Sequence, residues 1–112
     1  KTSTLTINPR TLEAGTGKLA HIQLMLKDKD GQPMTGKASH IAFEGSQLPG
    51  SGTDPEIVDI REDENNQGTY IATIQAGTKT GDWQVTLKVD GKTLGKITNH
   101  ITFTSSLADS VN

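Results

Sequence analysis

The side chains that could do chemistry in this chain are three histidines, His21, His40 and His100, and two acidic runs. The runs are Asp28-Lys29-Asp30-Gly31 and Glu62-Asp63-Glu64, the second with Glu56 and Asp59 just upstream. Imidazoles and carboxylates bind metal ions and relay protons, but only where they converge and partners orient them. The histidines are far apart in sequence and fall on outward positions or strand ends, so they read as surface residues. Asp28-Lys29-Asp30-Gly31 opens like a calcium loop, yet the lysine and the missing acidic closing residue depart from that pattern. The run from Glu62 to Glu64 lies at a turn, where such charges form a solvated face. Glycoside hydrolysis by paired carboxylates needs a cleft and aromatic sugar platforms. Here there are one Trp, one Tyr and two Phe, mostly at inward positions. Ser46 and Ser51 stand in plain loops, without the turn that activates a serine. No glycine-rich phosphate cradle follows a strand and opens a helix. The expectation is no catalytic, cofactor-binding or metal-binding residue, and no enzyme activity.

The elements that would position any such group are strands. Gly68 to Gly91 alternates strictly. Tyr70, Ala72 and Ile74 share one face, and Trp83, Val85, Leu87 and Val89 share another. A sheet with one buried and one wet face requires this period of two. The stretch holds the only Trp and the only Tyr, which places the centre of the core here. The connection Thr78–Asp82 is longer than a two-residue turn, so it closes a loose hairpin or crosses between sheets.

The remainder follows the same logic. Ser3–Asn8 is a short strand with Leu5 and Ile7 on one face, ended by Pro9, which has no amide hydrogen for the ladder. Leu12 adds one anchor before Gly15-Thr16-Gly17, so this edge strand is split or changes sheet. Lys18–Lys27 is a strand with Ala20, Ile22, Leu24 and Leu26 inward. The outward Met25 is expected beneath cover at a sheet edge. Asp28 to Gly36 is a dense turn signal. Ala38–Glu44 is a strand with Ile41 and Phe43 inward, and Gly45–Pro55 is a surface loop of the kind where binding sits. Ile57–Arg61 alternates through Val58 and Ile60. In the last strand, Thr93–Thr104, the spacing of Leu94 and Ile97 and the presence of Gly95 call for a bulge. Asn99 falls on the apolar parity and is expected at a margin or hydrogen-bonded. Residues 3–105 form the domain, and 106–112 read as a linker or the start of a next unit.

The totals agree. At 112 residues this is one domain, able to bury roughly 60–70% of the surface its unfolded chain exposes. Hydrophobic residues make up 31% and charged residues 21%, with twelve glycines, which favours an all-β domain rich in turns. A disordered chain would combine low hydrophobicity with high net charge; here the net charge is −2. That balance, with no basic cluster, argues against nucleic acid as a partner. No apolar run approaches the roughly 20 residues of a membrane helix. The absence of cysteine excludes disulfides and thiolate metal sites. The chain begins at Lys1 in mid-pattern, as a piece cut from a longer protein would. With about seven or eight short strands and no credible helix, the solution is an immunoglobulin-like antiparallel β-sandwich without a disulfide. A barrel is the alternative, since strand spacing does not separate the two.

Three places together resemble a known family: Lys29-Asp30-Gly31-Gln32-Pro33-Met34-Thr35-Gly36, Gly68-Thr69-Tyr70-Ile71-Ala72-Thr73-Ile74, and Ala76-Gly77-Thr78-Lys79-Thr80-Gly81-Asp82-Trp83-Gln84-Val85. With the ending Ile101-Thr102-Phe103, the set is similar to the bacterial immunoglobulin-like (group 1) domain of the invasin and intimin adhesins. The resemblance implies a rigid stalk module on the extracellular side of a Gram-negative outer membrane, in a membrane-anchored parent protein. The partners it implies are neighbouring Ig-like domains of the same chain and, for the parent, a host-cell receptor or surface glycan. It implies no catalytic residue. Departures are the missing disulfide of antibody-type domains, the late position of Trp83 and the long loop Gly45–Pro55. That loop or an exposed sheet face would carry any binding. The other reading is a carbohydrate- or protein-binding β-sandwich module of a secreted protein, which would need a row of exposed aromatics or a calcium site.

Overall fold

The computed structural model describes residues 3–105. Eight strands run in chain order: β1 (Thr4–Asn8), β2 (Thr11–Glu13), β3 (Leu19–Met25), β4 (Ile41–Gly45), β5 (Glu56–Glu62), β6 (Thr69–Gln75), β7 (Gly81–Val89) and β8 (Lys92–Thr104). They form two four-stranded sheets, ordered β1-β3-β6-β5 and β2-β8-β7-β4. The alternating residues explain why the sheets face one another. Ile22 and Leu24 of β3 and Tyr70 and Ile74 of β6 are fully buried, as are Leu87 of β7 and Ile101 of β8. Burying one such side chain contributes about 1.5–3 kcal/mol. Trp83 and Phe103 meet in the same layer, with ring centroids 5.8 Å apart and planes tilted by 56°. The architecture is the expected all-β sandwich, and its strands do not close into a barrel.

Both open alternatives at the connections resolve as changes of sheet. After β1 the chain passes a cis Asn8–Pro9 bond and joins the other sheet as β2, parallel to β8. After β6 it crosses again, because β7 belongs to the second sheet. Gly68–Gly91 is therefore a two-layer core unit rather than a hairpin.

Four local expectations need correction. Ala38–His40 forms a 3-10 turn, and the strand starts only at Ile41. On β5 the packed residues are Ile57 and Ile60, not Val58 and Ile60. Asp59 has φ 64° and the register with β6 breaks between Val58 and Arg61, so a bulge shifts the phase. Met25 lies on an inner strand of its sheet and is 42% exposed, so no edge covers it. Glu62, read as part of a solvated face, is engaged on both oxygens, as described below.

Two other readings hold. The register of β7 with β8 jumps from Thr86↔Thr98 to Leu87↔Leu94, which leaves Gly95–Ile97 as an unpaired bulge. Asn99 is hydrogen-bonded: its Nδ2 donates to the Leu5 carbonyl at 2.8 Å, joining the two sheets across 94 residues of sequence. Its Oδ1 accepts from Arg10 at 3.0 Å. The expected linker at 106–112 lies outside the described residues.

Candidate functional site

Strand registers place the chain ends at opposite poles. Thr4 pairs with Met25 and Lys92 with Val89 at the N-terminal pole. Glu13 pairs with Thr104 and Gly81 with Phe103 at the C-terminal pole. Between the poles β7 and β8 run the length of the domain. The first and last strands of the second sheet, β2 and β8, lie side by side in parallel. Flanking bonds lengthen that seam: Thr102 N donates to Arg10 O and Ala14 N to Thr104 O, each at 2.8 Å.

Side chains then lock the turns onto this frame. At the N-terminal pole the buried Tyr70 hydroxyl donates to the Met34 carbonyl at 2.6 Å and accepts from the Lys37 amide at 2.9 Å. Burial pushes its pKa above the usual tyrosine value. The Glu62 carboxylate accepts the amides of Gly36 and Gly68, both at 2.9 Å, and so ties two turns together. Asp63 accepts from the Asn65 amide and the Asn66 side chain, and these bonds hold its carboxyl below the ordinary value.

Near the C-terminal pole the loop 46–55 is pinned rather than free. Its Leu48 is buried in the core. Trp83 Nε1 donates to Ser46 O at 2.6 Å, and Ser46 Oγ accepts from Gln84 N at 2.9 Å. Thr53 and Thr78 exchange backbone and side-chain bonds, and Lys79 pairs with Asp54 at 2.9 Å. A cleft of about 280 Å³ between β4 and β5 is lined by Phe43, Ser46, Asp54, Ile57 and Trp83.

The chemically capable residues stay apart. His21 is exposed on β3, His40 Nδ1 meets Asp90 at 2.7 Å, and His100 Nδ1 meets Asp82 at 3.0 Å. Asp28 spends Oδ1 on the amides of Asp30 and Gln32, at 2.8 and 2.9 Å, shaping the turn. Among the described residues, no group of three or more histidine or acidic side chains could hold a metal ion. Tyr70, Trp83 and Phe103 are buried and Phe43 is half-buried, so the aromatics form no exposed row. Sequence reasoning missed the clamp at Glu62; at Asn99 it foresaw a hydrogen bond but not that the bond joins the two sheets. For the clamp the one local sign was Gly36, which closes the turn signal running from Asp28.

Comparison with known proteins agrees with this geometry. The family model described as invasin, domain 3, matches residues 1–106. Among solved structures, the adhesin InvE of Yersinia pseudotuberculosis shares 30% identity with a TM-score of 0.76, over 92% of this chain and 26% of that one. InvD of the same organism shares 30% identity with a TM-score of 0.71, over 90% of this chain and 27% of that one. Invasin, a bacterial integrin-binding protein, shares 31% identity with a TM-score of 0.75, over 93% of this chain and 19% of that one. No curated protein sequence matches at a significant level. This chain thus spans about a quarter or less of the structures it is similar to.

Proposed function

The chain belongs to the invasin domain 3 family, and from that premise we propose that it is a rigid spacer module in the extended part of a bacterial surface adhesin. The observation that carries this reading is mechanical. The chain enters at one pole and leaves at the other, and its terminal strands β2 and β8 pair in parallel between them. Tension on the two ends slides β2 against β8 along the strand direction. All bonds of the seam are then loaded at once, whereas a pair opened from one end would break them in turn. The pinned loops and the Tyr70 and Glu62 clamps keep the module from bending internally.

In this reading the unit spans residues 3–105 and the segment from 106 leads to a further domain. The parent protein is displayed outside the cell from an outer membrane, and its receptor contact lies elsewhere in the polypeptide. The partners of this module are the neighbouring Ig-like domains. Solution scattering on the full parent polypeptide tests the arrangement. An extended particle whose length grows by roughly one domain for each repeat supports it, and a compact particle refutes it.

A further inference from the structure

Of the four edge strands, three are closed and one is open. On β1 the outward carbonyl of Leu5 is taken by Asn99 Nδ2 at 2.8 Å. β2 has three residues, and its Glu13 carbonyl accepts from Thr16 Oγ1 at 2.9 Å. β5 is broken by the bulge at Asp59. Such devices keep a sheet edge from adding a further strand. β4 has none of them: its five residues include no proline or lysine, and its register with β7 is unbroken. Asp90 N donates to His40 O at 2.8 Å and Ser46 N to Gln84 O at 2.9 Å, so the even-numbered positions of β4 face β7. Phe43 and Gly45 therefore turn their backbone amides and carbonyls outward, and both residues are only half-buried. Among the described residues, no loop or side chain bonds to these groups.

We propose that β4 pairs antiparallel with β4 of a second copy of this chain, about a two-fold axis at Phe43, so that the two β2-β8-β7-β4 sheets join into one of eight strands. Self-complementarity names the occupant. Phe43 of each copy presents both backbone groups to Phe43 of the other, as an isologous contact requires. On the inward side the two half-buried Phe43 rings then stand side by side, and each covers the cleft of about 280 Å³ that the other lines with Ile57 and Trp83.

Charge agrees with this register. On the wet face Ala42 of one copy lies opposite Glu44 of the other. Ala42 pairs with Lys88 on β7, so the small alanine leaves Lys88 facing Glu44 of the second copy across a single strand. Two strand spacings of about 4.8 Å separate their backbones, which a lysine and a glutamate span together. Among the described residues neither Lys88 nor Glu44 forms an ion pair within its own chain. The two-fold axis makes two such pairs and sets neither Glu44 directly opposite the other. A foreign strand could take the backbone bonds, but the row Lys88–Ala42–Glu44 is matched by this strand itself. A five-residue edge buries less than the roughly 1,200 Å² of a standard interface, so the dimer forms at high local concentration.

Two single variants of the parent polypeptide, Ala42→Cys and Glu44→Cys, read the register. Both side chains are exposed, and this chain has no cysteine of its own. In the paired strands, position 42 of one copy and position 44 of the other have Cα atoms about 4.5 Å apart, within disulfide range. The two copies of position 42 are roughly 8 Å apart, too far to bridge. At about 1 mM, a mixture of the variants should form the 42–44 disulfide at least about tenfold faster than either variant alone links to itself. Equal rates overturn the proposal. In sedimentation, Lys88→Glu should raise the dimer dissociation constant about tenfold, and adding Glu44→Lys to it should restore the wild-type value. A double variant no better than Lys88→Glu overturns the proposal too. Hydrogen exchange identifies the occupant, with β6 protected in every folded variant. Protection of Phe43 and Gly45 that grows with concentration supports a second copy. Protection independent of concentration assigns the edge to another segment of the parent and overturns the pairing. The pairing does not rest on the spacer reading: an extended parent that stays monomeric keeps the spacer and overturns the pairing, and a compact parent that still links 42 to 44 does the reverse.

Discussion

The indole of Trp83 packs on the bare Cα of Gly45, the last residue of β4, where a Cβ would overlap its ring atoms Cζ2 and Cε2. The glycine is needed for space, since its φ is not in the left-handed region. Gly45→Ala should therefore cost about 1–3 kcal/mol in urea unfolding and disturb Trp83 fluorescence. Gly95→Ala is the control, because a Cβ there meets nothing within 4 Å. It should change stability by less than about 0.5 kcal/mol.

Tyr70 anchors the turn before Ala38 through two backbone partners. Tyr70→Phe leaves the Met34 carbonyl and the Lys37 amide without it and should cost about 1–3 kcal/mol. Its raised pKa adds a pH signature. The folded state holds the phenol proton more tightly than the unfolded chain does. The contribution is complete below pH about 10, the ordinary tyrosine value, and is lost as pH rises through the higher folded value. Chemical denaturation from pH 8 to 11 should show the wild type losing more stability than Tyr70→Phe; parallel curves would count against the buried phenol.

Glu62 and Glu64 sit two residues apart in one acidic run, with opposite fates. Glu62→Ala strands the buried Gly68 amide together with that of Gly36 and should cost about 1–3 kcal/mol. Glu64 is exposed, and Glu64→Ala should fall within about 0.5 kcal/mol of wild type. Thermal melts of the two variants decide, and equal melting temperatures would mean the clamp is idle.

This pair illustrates what a linear reading can and cannot see. Alternation is a local signal, so the inward faces of β3, β6 and β7, with Ile22, Tyr70 and Leu87, were legible from the chain alone. The ordered turn motifs around Asp30, Gly68 and Gly81 carried the family. Asp59 was not legible as a bulge, because a bulge is a mismatch with the partner strand and leaves no mark in one strand's composition. The same holds for Glu62, Asn99 and Ser46, whose bonds reach residues 26 to 94 positions away. Loop 46–55 was legible as a surface loop from its Gly, Ser and Pro content, but the anchoring of Leu48 in the core was not.

Adjacent residues of β7 test the inward parity. Leu87 is fully buried, while Thr86 is half-buried and shares a hydroxyl contact with Thr98 at 3.1 Å. Leu87→Asp places an unpaired carboxylate in the core and should abolish folding. Thr86→Asp should remain folded with a loss of at most about 1 kcal/mol. Circular dichroism of both proteins reads the outcome, and similar behaviour of the two would reverse the face assignment.

A spacer of this kind must bear load along its length through the parallel β2–β8 seam. The chain has no cysteine, so single-molecule pulling handles can be placed by introducing cysteines at chosen positions. Force applied across the domain, from before Ser3 to after Ser105, shears the seam. Force applied between Thr16 and the chain after Ser105 peels the same two strands from one end. The unfolding force should be at least about twofold higher for shearing than for peeling, because the bonds fail together rather than in turn. Equal forces in the two geometries would contradict it.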